Sequence, residues 1–147
     1  MKTIRLILKQ RGKEIWSASP TMTVFEALRI MAERDIGALP VLDRKKLVGI
    51  FSERDYARKV ILKGRASKDV LVKDIMSTHL VTITPNETNE QGLALMTEKH
   101  VRHLPVIQRE KMIGFISIGD LVKSIIEEQN QVIDKLGQHI MEAKGMS

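Results

Sequence analysis

Two short stretches carry the residue types most able to do chemistry. Leu47 to Asp55 reads Leu-Val-Gly-Ile-Phe-Ser-Glu-Arg-Asp, and Met112 to Asp120 returns the pattern as Met-Ile-Gly-Phe-Ile-Ser-Ile-Gly-Asp. Each is an apolar run broken by one Gly (Gly49, Gly114), then Ser, two variable positions and Asp, so a strand is expected to end at Ser52 or Ser117 and a helix to begin there. Two kinds of chemistry fit Ser-x-x-Asp at such a junction. It is a capping box if the hydroxyl accepts an orphan amide of the first helical turn while the Asp reaches back. It is a ligand site if the carboxylate of Asp55 or Asp120 accepts both hydrogens of a vicinal diol while the helix amino end attracts phosphate. The motif alone admits both.

Other chemistries find few residues. Cysteine is absent, which removes disulfides, thiol nucleophiles and thiolate metal sites and fits a reducing compartment. The four histidines are His79, His100, His103 and His139, and none shows the helical pairing of a zinc site. His100 and His103 therefore read as surface or strand-edge residues, and no metal is expected. There is no P-loop and no Gly-x-Gly-x-x-Gly, and no nucleophile stands with an acid–base partner, so no enzyme is expected.

The elements that must position the two motifs are themselves duplicated. Pro20 to Val60 lies over Pro85 to Ile125 at a constant offset of 65, with 13 identities in 41 paired positions. Two copies are too few for a solenoid, and a pseudo-two-fold pair packed face to face is the economical architecture. Thr23-x-x-Glu26 and Thr88-x-x-Gln91 look like capping boxes opening a helix in each copy. Leu28, Met31 and Ala32 are expected on one face of the first helix, and Leu93, Met96 and Thr97 on one face of the second. Leu39-Pro40-Val41-Leu42 and Leu104-Pro105-Val106-Ile107 read as short strands, and polar Asp43 to Lys46 and Gln108 to Lys111 turn the chain into the Gly-containing strands. The predicted order is helix, strand, strand, helix, preceded by an extended lead: Lys13 to Ser17 in the first copy, Lys73 to Ser77 in the second.

Outside the copies, Met1 to Lys13 has only the short apolar run Leu6-Ile7-Leu8, too brief for a signal peptide, and is expected to form an extended strand or arm. Lys63 to Lys73 is polar and basic and reads as a connection over the surface. Beyond Asp120 an apolar three-and-four spacing runs to about Met141, so the last helix outlasts its repeat; the stripe fits the chain's own core and a second subunit equally. Residues beyond Ala143 are expected to fray. No apolar run approaches membrane-spanning length, and a cytoplasmic protein is expected. The net charge of +6 is uneven, with 17 Lys and Arg against 8 Asp and Glu in residues 1–73 and 7 against 10 in residues 74–147. That basic half could attract nucleic acid, but 5 aromatics in the whole chain make base-stacking platforms a poor expectation.

The paired Leu-Pro-Val and Gly-x-x-Ser-x-x-Asp segments, with the Lys-Asp-Ile-Met-Ser lead, resemble a tandem pair of CBS domains over about residues 13 to 128. The resemblance implies an α/β (α+β) fold: a pseudo-two-fold pair of repeats, each a short sheet with two helices, plus a long C-terminal helix. It divides the chain into an arm (1–12), repeat 1 (13–63), a linker (64–72), repeat 2 (73–128) and a helical extension (129–147). It further implies a regulatory sensor that binds AMP, ATP, S-adenosylmethionine or NAD(H) between the repeats, forms a homodimer and signals to an output protein.

Carried over by position, Asp55 and Asp120 would accept ribose hydroxyls, and Ser52 and Ser117 would contact phosphate or ribose. Arg54, Arg102 and His103 would grip phosphate, while adenine would lie against Ile15, Trp16 and Ser17 in one cleft and Val81, Thr82 and Ile83 in the other. Arg54 faces Gly119 in the second copy, so the clefts should differ in phosphate affinity. The rival expectation is a nucleic-acid-binding protein using Arg54, Arg58, Lys59, Lys63, Arg65 and Lys68, whose affinity would fall steeply with salt.

Overall fold

The structure, a computed structural model, describes residues 1–12 and 14–143. Lys13, which opens the first lead, and the tail expected to fray lie outside the described residues. Each repeat folds around one antiparallel hairpin. In the first, β1 (Ala38–Asp43) pairs with β2 (Lys46–Ser52); in the second, β3 (His103–Gln108) pairs with β4 (Lys111–Ser117) in the equivalent register. Both hairpins turn on two residues at positive φ, Arg44 and Lys45 in one and Arg109 and Glu110 in the other. That is the turn whose twist matches paired strands, here adopted without glycine.

The preceding helices are α2 (Val24–Arg34) and α5 (Asn89–Lys99). Thr88 and Gln91 form the full capping box, whereas Thr23 caps Glu26 N and the Glu26 carboxylate returns only to the Thr23 hydroxyl. The helices end at Asp35 and His100, both left-handed. The buried face of α2 is Val24, Ala27 and Met31, and that of α5 is Asn89, Gly92 and Met96. Ala32 and Thr97, expected on the same faces as Met31 and Met96, are exposed.

After the hairpins come the helices opened by Ser52 and Ser117. The first is α3 (Glu53–Tyr56), which widens into a π-helical turn over Ala57–Ile61. The second, α6 (Ile118–Ala143), runs on for 26 residues. No helix among the described residues is long and apolar enough to cross a membrane.

Three expectations are corrected. The N-terminal arm is not a strand: α1 (Ile4–Arg11) is a helix capped by the Thr3 hydroxyl, with Ile4 and Ile7 buried. The second lead is not wholly extended, since α4 (Val72–Ile75) forms a helical turn there. The connection from Lys63 to Lys73 does not stay on the surface: Val70 and Val72 are buried, and the carbonyls of Ser67 and Val70 accept the amides of Phe25 and Val24. The same packing explains all three. Val70, Val72 and Ile75 complete the core of the first repeat, while Ile4 and Ile7 complete that of the second. Each repeat therefore borrows the segment that precedes the other, and burial of these side chains, each worth about 1.5–3 kcal/mol, holds the halves together.

Candidate functional site

At the first junction both halves of the capping box form. Ser52 Oγ accepts Asp55 N at 3.2 Å, and Asp55 Oδ2 accepts the Ser52 amide and hydroxyl, each at 3.0 Å. The other oxygen, Oδ1, accepts the Ser77 hydroxyl at 3.1 Å and pairs with Lys59 Nζ at 3.1 Å. Lys59 also donates to the Ile75 carbonyl at 2.9 Å. Asp55 is thus 6% exposed and fully engaged. The capping chemistry is present, and a diol reaching Oδ1 has Ser77 and Lys59 to displace.

Asp55 lines a cleft of about 330 Å³ between the repeats. Ser52 and Arg54 join it from the first repeat, and Val81, Arg102 and His103 from the second. Neither Arg54 nor Arg102 pairs with a carboxylate among the described residues. Two arginines from different repeats therefore line one space, an arrangement that suits an anion with several oxygens.

The second junction is built alike. Asp120 Oδ2 accepts Ser117 N at 2.8 Å, and Ser117 Oγ accepts Asp120 N at 3.1 Å. Its cleft, of about 300 Å³, brings Ser117 and Asp120 together with Ile15 and Trp16 of the first lead. Here the cation comes from outside the repeats: Arg11 Nη1 lies 2.9 Å from Asp120 Oδ2 and also donates to the Phe115 carbonyl. Trp16 belongs to neither core; it is 36% exposed, with the Arg34 guanidinium 3.7 Å above its ring.

His103 lines both clefts, as does Gly37. Its ring stacks on Phe115 with centroids 5.6 Å apart. Burial is the main cause holding its pKa below the ordinary 6.5; Asp120 opposes this, and Arg102 and Arg11 reinforce it. The neutral ring keeps one donor and one acceptor.

Five of the expected residues stand outside both clefts. Ile83 is 1% exposed in the second core, with its backbone bonded to Pro105 and Ile107. Thr82 is exposed and Ser17 half-buried, each away from the lining. Gly49 and Gly114 are close-packing positions: a Cβ would lie 2.6 Å from Met76 Sδ at Gly49 and 2.6 Å from the Leu8 methyls at Gly114. Of the residues not singled out beforehand, Ile50 and Phe115 line equivalent positions, a pairing readable from the 65-residue offset. Arg11 and Ser77 had no such signal, because their roles depend on contacts between distant segments, whereas Lys59 stands four residues after Asp55, a spacing that pairs charges on a helix.

The basic set offered for nucleic acid is partly committed. Lys59 is held by Asp55, Lys68 lies 4.9 Å over the Phe25 ring, and Arg54 lines the first cleft. Among the described residues no group of three His, Asp or Glu side chains is placed to hold a metal.

Two pseudo-equivalent clefts, each joining the Ser-x-x-Asp motif of one repeat to the lead of the other, define a paired-repeat module with a ligand-sized space at each junction. The model of the CBS domain matches residues 12–62 and 72–127, and the chain belongs to that family. Pairs of this kind are regulatory ligand-binding modules. The chain is 37% identical to CBS domain-containing protein CBSX3, mitochondrial, of Arabidopsis thaliana, covering 94% of this chain and 71% of that one. A solved CBS-domain protein from Burkholderia ambifaria superimposes with a TM-score of 0.83 at 45% identity, covering 87% of this chain and 96% of the other. The CBS pair of protein MJ0100, solved with 5′-methylthioadenosine and S-adenosyl-L-methionine, shares the fold with a TM-score of 0.76 at 22% identity, over 87% and 98% of the two chains.

Proposed function

We propose that this protein is a regulatory sensor of an adenosine ligand, AMP, ATP or NAD(H), bound between residues 13–63 and 73–128, and that occupancy is passed to an output protein as a change of conformation rather than as chemistry. The observation that carries the reading is that Arg54 and Arg102, neither paired with a carboxylate among the described residues, line the same cleft as the Ser52–Asp55 junction. In this reading a ligand phosphate takes the two Arg side chains and His103, ribose hydroxyls replace Ser77 and Lys59 on Asp55 Oδ1, and the base lies against Val81. The adenosine ligands of MJ0100 support the ligand class. In the second cleft Asp120 already carries Arg11, and Ile15 and Trp16 form the apolar wall, so weaker phosphate binding follows. A cysteine-free chain suits the cytoplasm, where we place it.

The test is thermal unfolding with AMP, ATP, NAD, NADH and S-adenosylmethionine in turn, on wild type, Asp55→Ala and Asp120→Ala. A ligand at ~100 times its Kd adds about 2.7 kcal/mol, or roughly 5 to 11 °C at this chain length. A shift lost on removing one Asp identifies the occupied cleft. No shift with any of the five sinks the reading.

A further inference from the structure

The same four positions after α2 and α5 line the two clefts: Asp35 to Ala38 the second, and His100 to His103 the first, at the 65-residue offset. Most of these residues reach only one space. His103 and Gly37 reach both, and Gly37 has no side chain to offer. In the first repeat the place of His103 is taken by Ala38, which is 1% exposed and lines the second cleft alone. The sharing is therefore one-sided, and the two ligand spaces hold one polar side chain in common.

The ring stands at the boundary. It stacks on Phe115 of the second cleft with an interplanar angle of 10°, and its Cε1–Nε2 edge lies against Gly37, where a Cβ would stand 3.7 Å from Cε1 and 4.0 Å from Nε2. Charge surrounds it on both sides. Arg102 stands in the first cleft, Asp120 and Arg11 stand in the second, and Glu53 Oε1 lies 3.8 Å from the same point beside Gly37. A phosphate offers only acceptors, so it draws on a ring donor, and a neutral imidazole has one. Turned toward a phosphate beside Arg102, the ring leaves its stack on Phe115 and the neighbourhood of Asp120, and the second cleft loses that wall.

We propose that the two clefts compete for His103, so that a phosphorylated adenosine ligand in the first weakens binding in the second, and the reverse by the same factor. This competition rests on the ligand reading above and gives the same sites a regulation. The first cleft, with Arg54 and Arg102, fills at lower ligand concentration. The second then fills only when ligand is abundant, so the protein responds over a wider range of concentration than two independent sites would cover.

Trp16 is the single tryptophan of the chain and lines the second cleft alone, so its emission reports that cleft. The test titrates AMP into the wild type and into Arg54→Glu, whose new charge repels phosphate from the first cleft only, while calorimetry counts the AMP bound. Arg54→Glu should move the Trp16 midpoint to AMP concentrations at least about fivefold lower, because the ring stays with the second cleft. In the His103→Ala and His103→Phe backgrounds, which have no donor to share, Arg54→Glu should leave the midpoint in place. An unmoved midpoint with His103 present, a shift that survives both His103 variants, or a Trp16 emission that AMP never changes overturns the competition, and AMP still bound by calorimetry then leaves the ligand reading standing. Neither heat nor emission change with AMP, ATP, NAD, NADH or S-adenosylmethionine overturns both.

Discussion

Arg11 and Asp120 stand 109 residues apart in the chain and 2.9 Å apart in the fold. Asp55 carries Lys59 from one turn further along its own helix, at 3.1 Å. Both Ser-x-x-Asp carboxylates thus hold a cation, one local and one delivered by α1, and the difference has measurable consequences.

Replacing Arg11 by Gln removes a positive charge that lowers the His103 pKa and leaves Asp120, which raises it. The imidazole of the variant should titrate at higher pH than that of the wild type. Because the side chains of the pair are 35% and 26% exposed, the stability cost should stay below about 1 kcal/mol. Imidazole proton shifts followed by NMR against pH give the first quantity and urea unfolding the second; an unmoved His103 titration would break the link.

The pH dependence of stability follows from the same histidine. Its folded pKa lies below its ordinary value of 6.5, so on acidification the unfolded chain takes up the proton first. The stabilising contribution is therefore complete above 6.5 and is lost as pH falls through the folded pKa. Unfolding midpoints measured from pH 7.5 to 5 should decline, and less steeply in His103→Phe, which cannot titrate. Parallel declines in both proteins would assign the effect to other groups.

Asp55→Ala should cost more than Asp120→Ala. Asp55 is buried, with its oxygens on Ser52, Ser77 and Lys59, whereas Asp120 is partly open. Loss of a cap costs about 1 kcal/mol, and the lost bonds from half-buried Ser77 and Lys59 to Oδ1 add about 0.5–1.5 kcal/mol at the first site. Denaturant midpoints order the two; equal losses would mean that the Oδ1 contacts contribute nothing. Ligand-induced shifts in these variants are best read relative to each variant's own midpoint.

Gly49→Ala and Gly114→Ala should both overpack, by about 1–3 kcal/mol, but differently. At Gly49 the new methyl meets the Ser77 carbonyl at 3.0 Å as well as Met76, and backbone cannot easily withdraw. At Gly114 its three nearest neighbours are all side-chain atoms of Leu8. Trimming that side chain in a Gly114→Ala, Leu8→Ala double variant should therefore cost less than the two single losses added. Strict additivity in urea unfolding would show that the two residues do not touch.

What a reader of the chain alone could see was local or periodic. The hairpins follow from Leu-Pro-Val, two polar turn residues and a Gly-containing strand; the helix starts follow from Thr and Ser with partners three residues on; the 65-residue offset doubles both. These signals survive because a cap or a two-residue turn involves atoms a few positions apart. The buried faces of α2 and α5 were less legible, since Ala27 and Ala32 differ only in what lies opposite them.

The sequence by itself thus determined the repeat, its elements and the two Ser-x-x-Asp junctions. Tertiary structure alone decided that α1 is a helix with Arg11 on Asp120, that the connection through Val70 enters the first core, and that each motif faces the lead of the other repeat. It also decided which expected residues leave the clefts, such as Ile83 in the core and Gly49 against Met76. The physical reason is that these outcomes are set by contacts between segments tens of residues apart, where burial of Ile4, Ile7, Val70 and Val72 outweighs the local preference of a polar arm or linker for solvent.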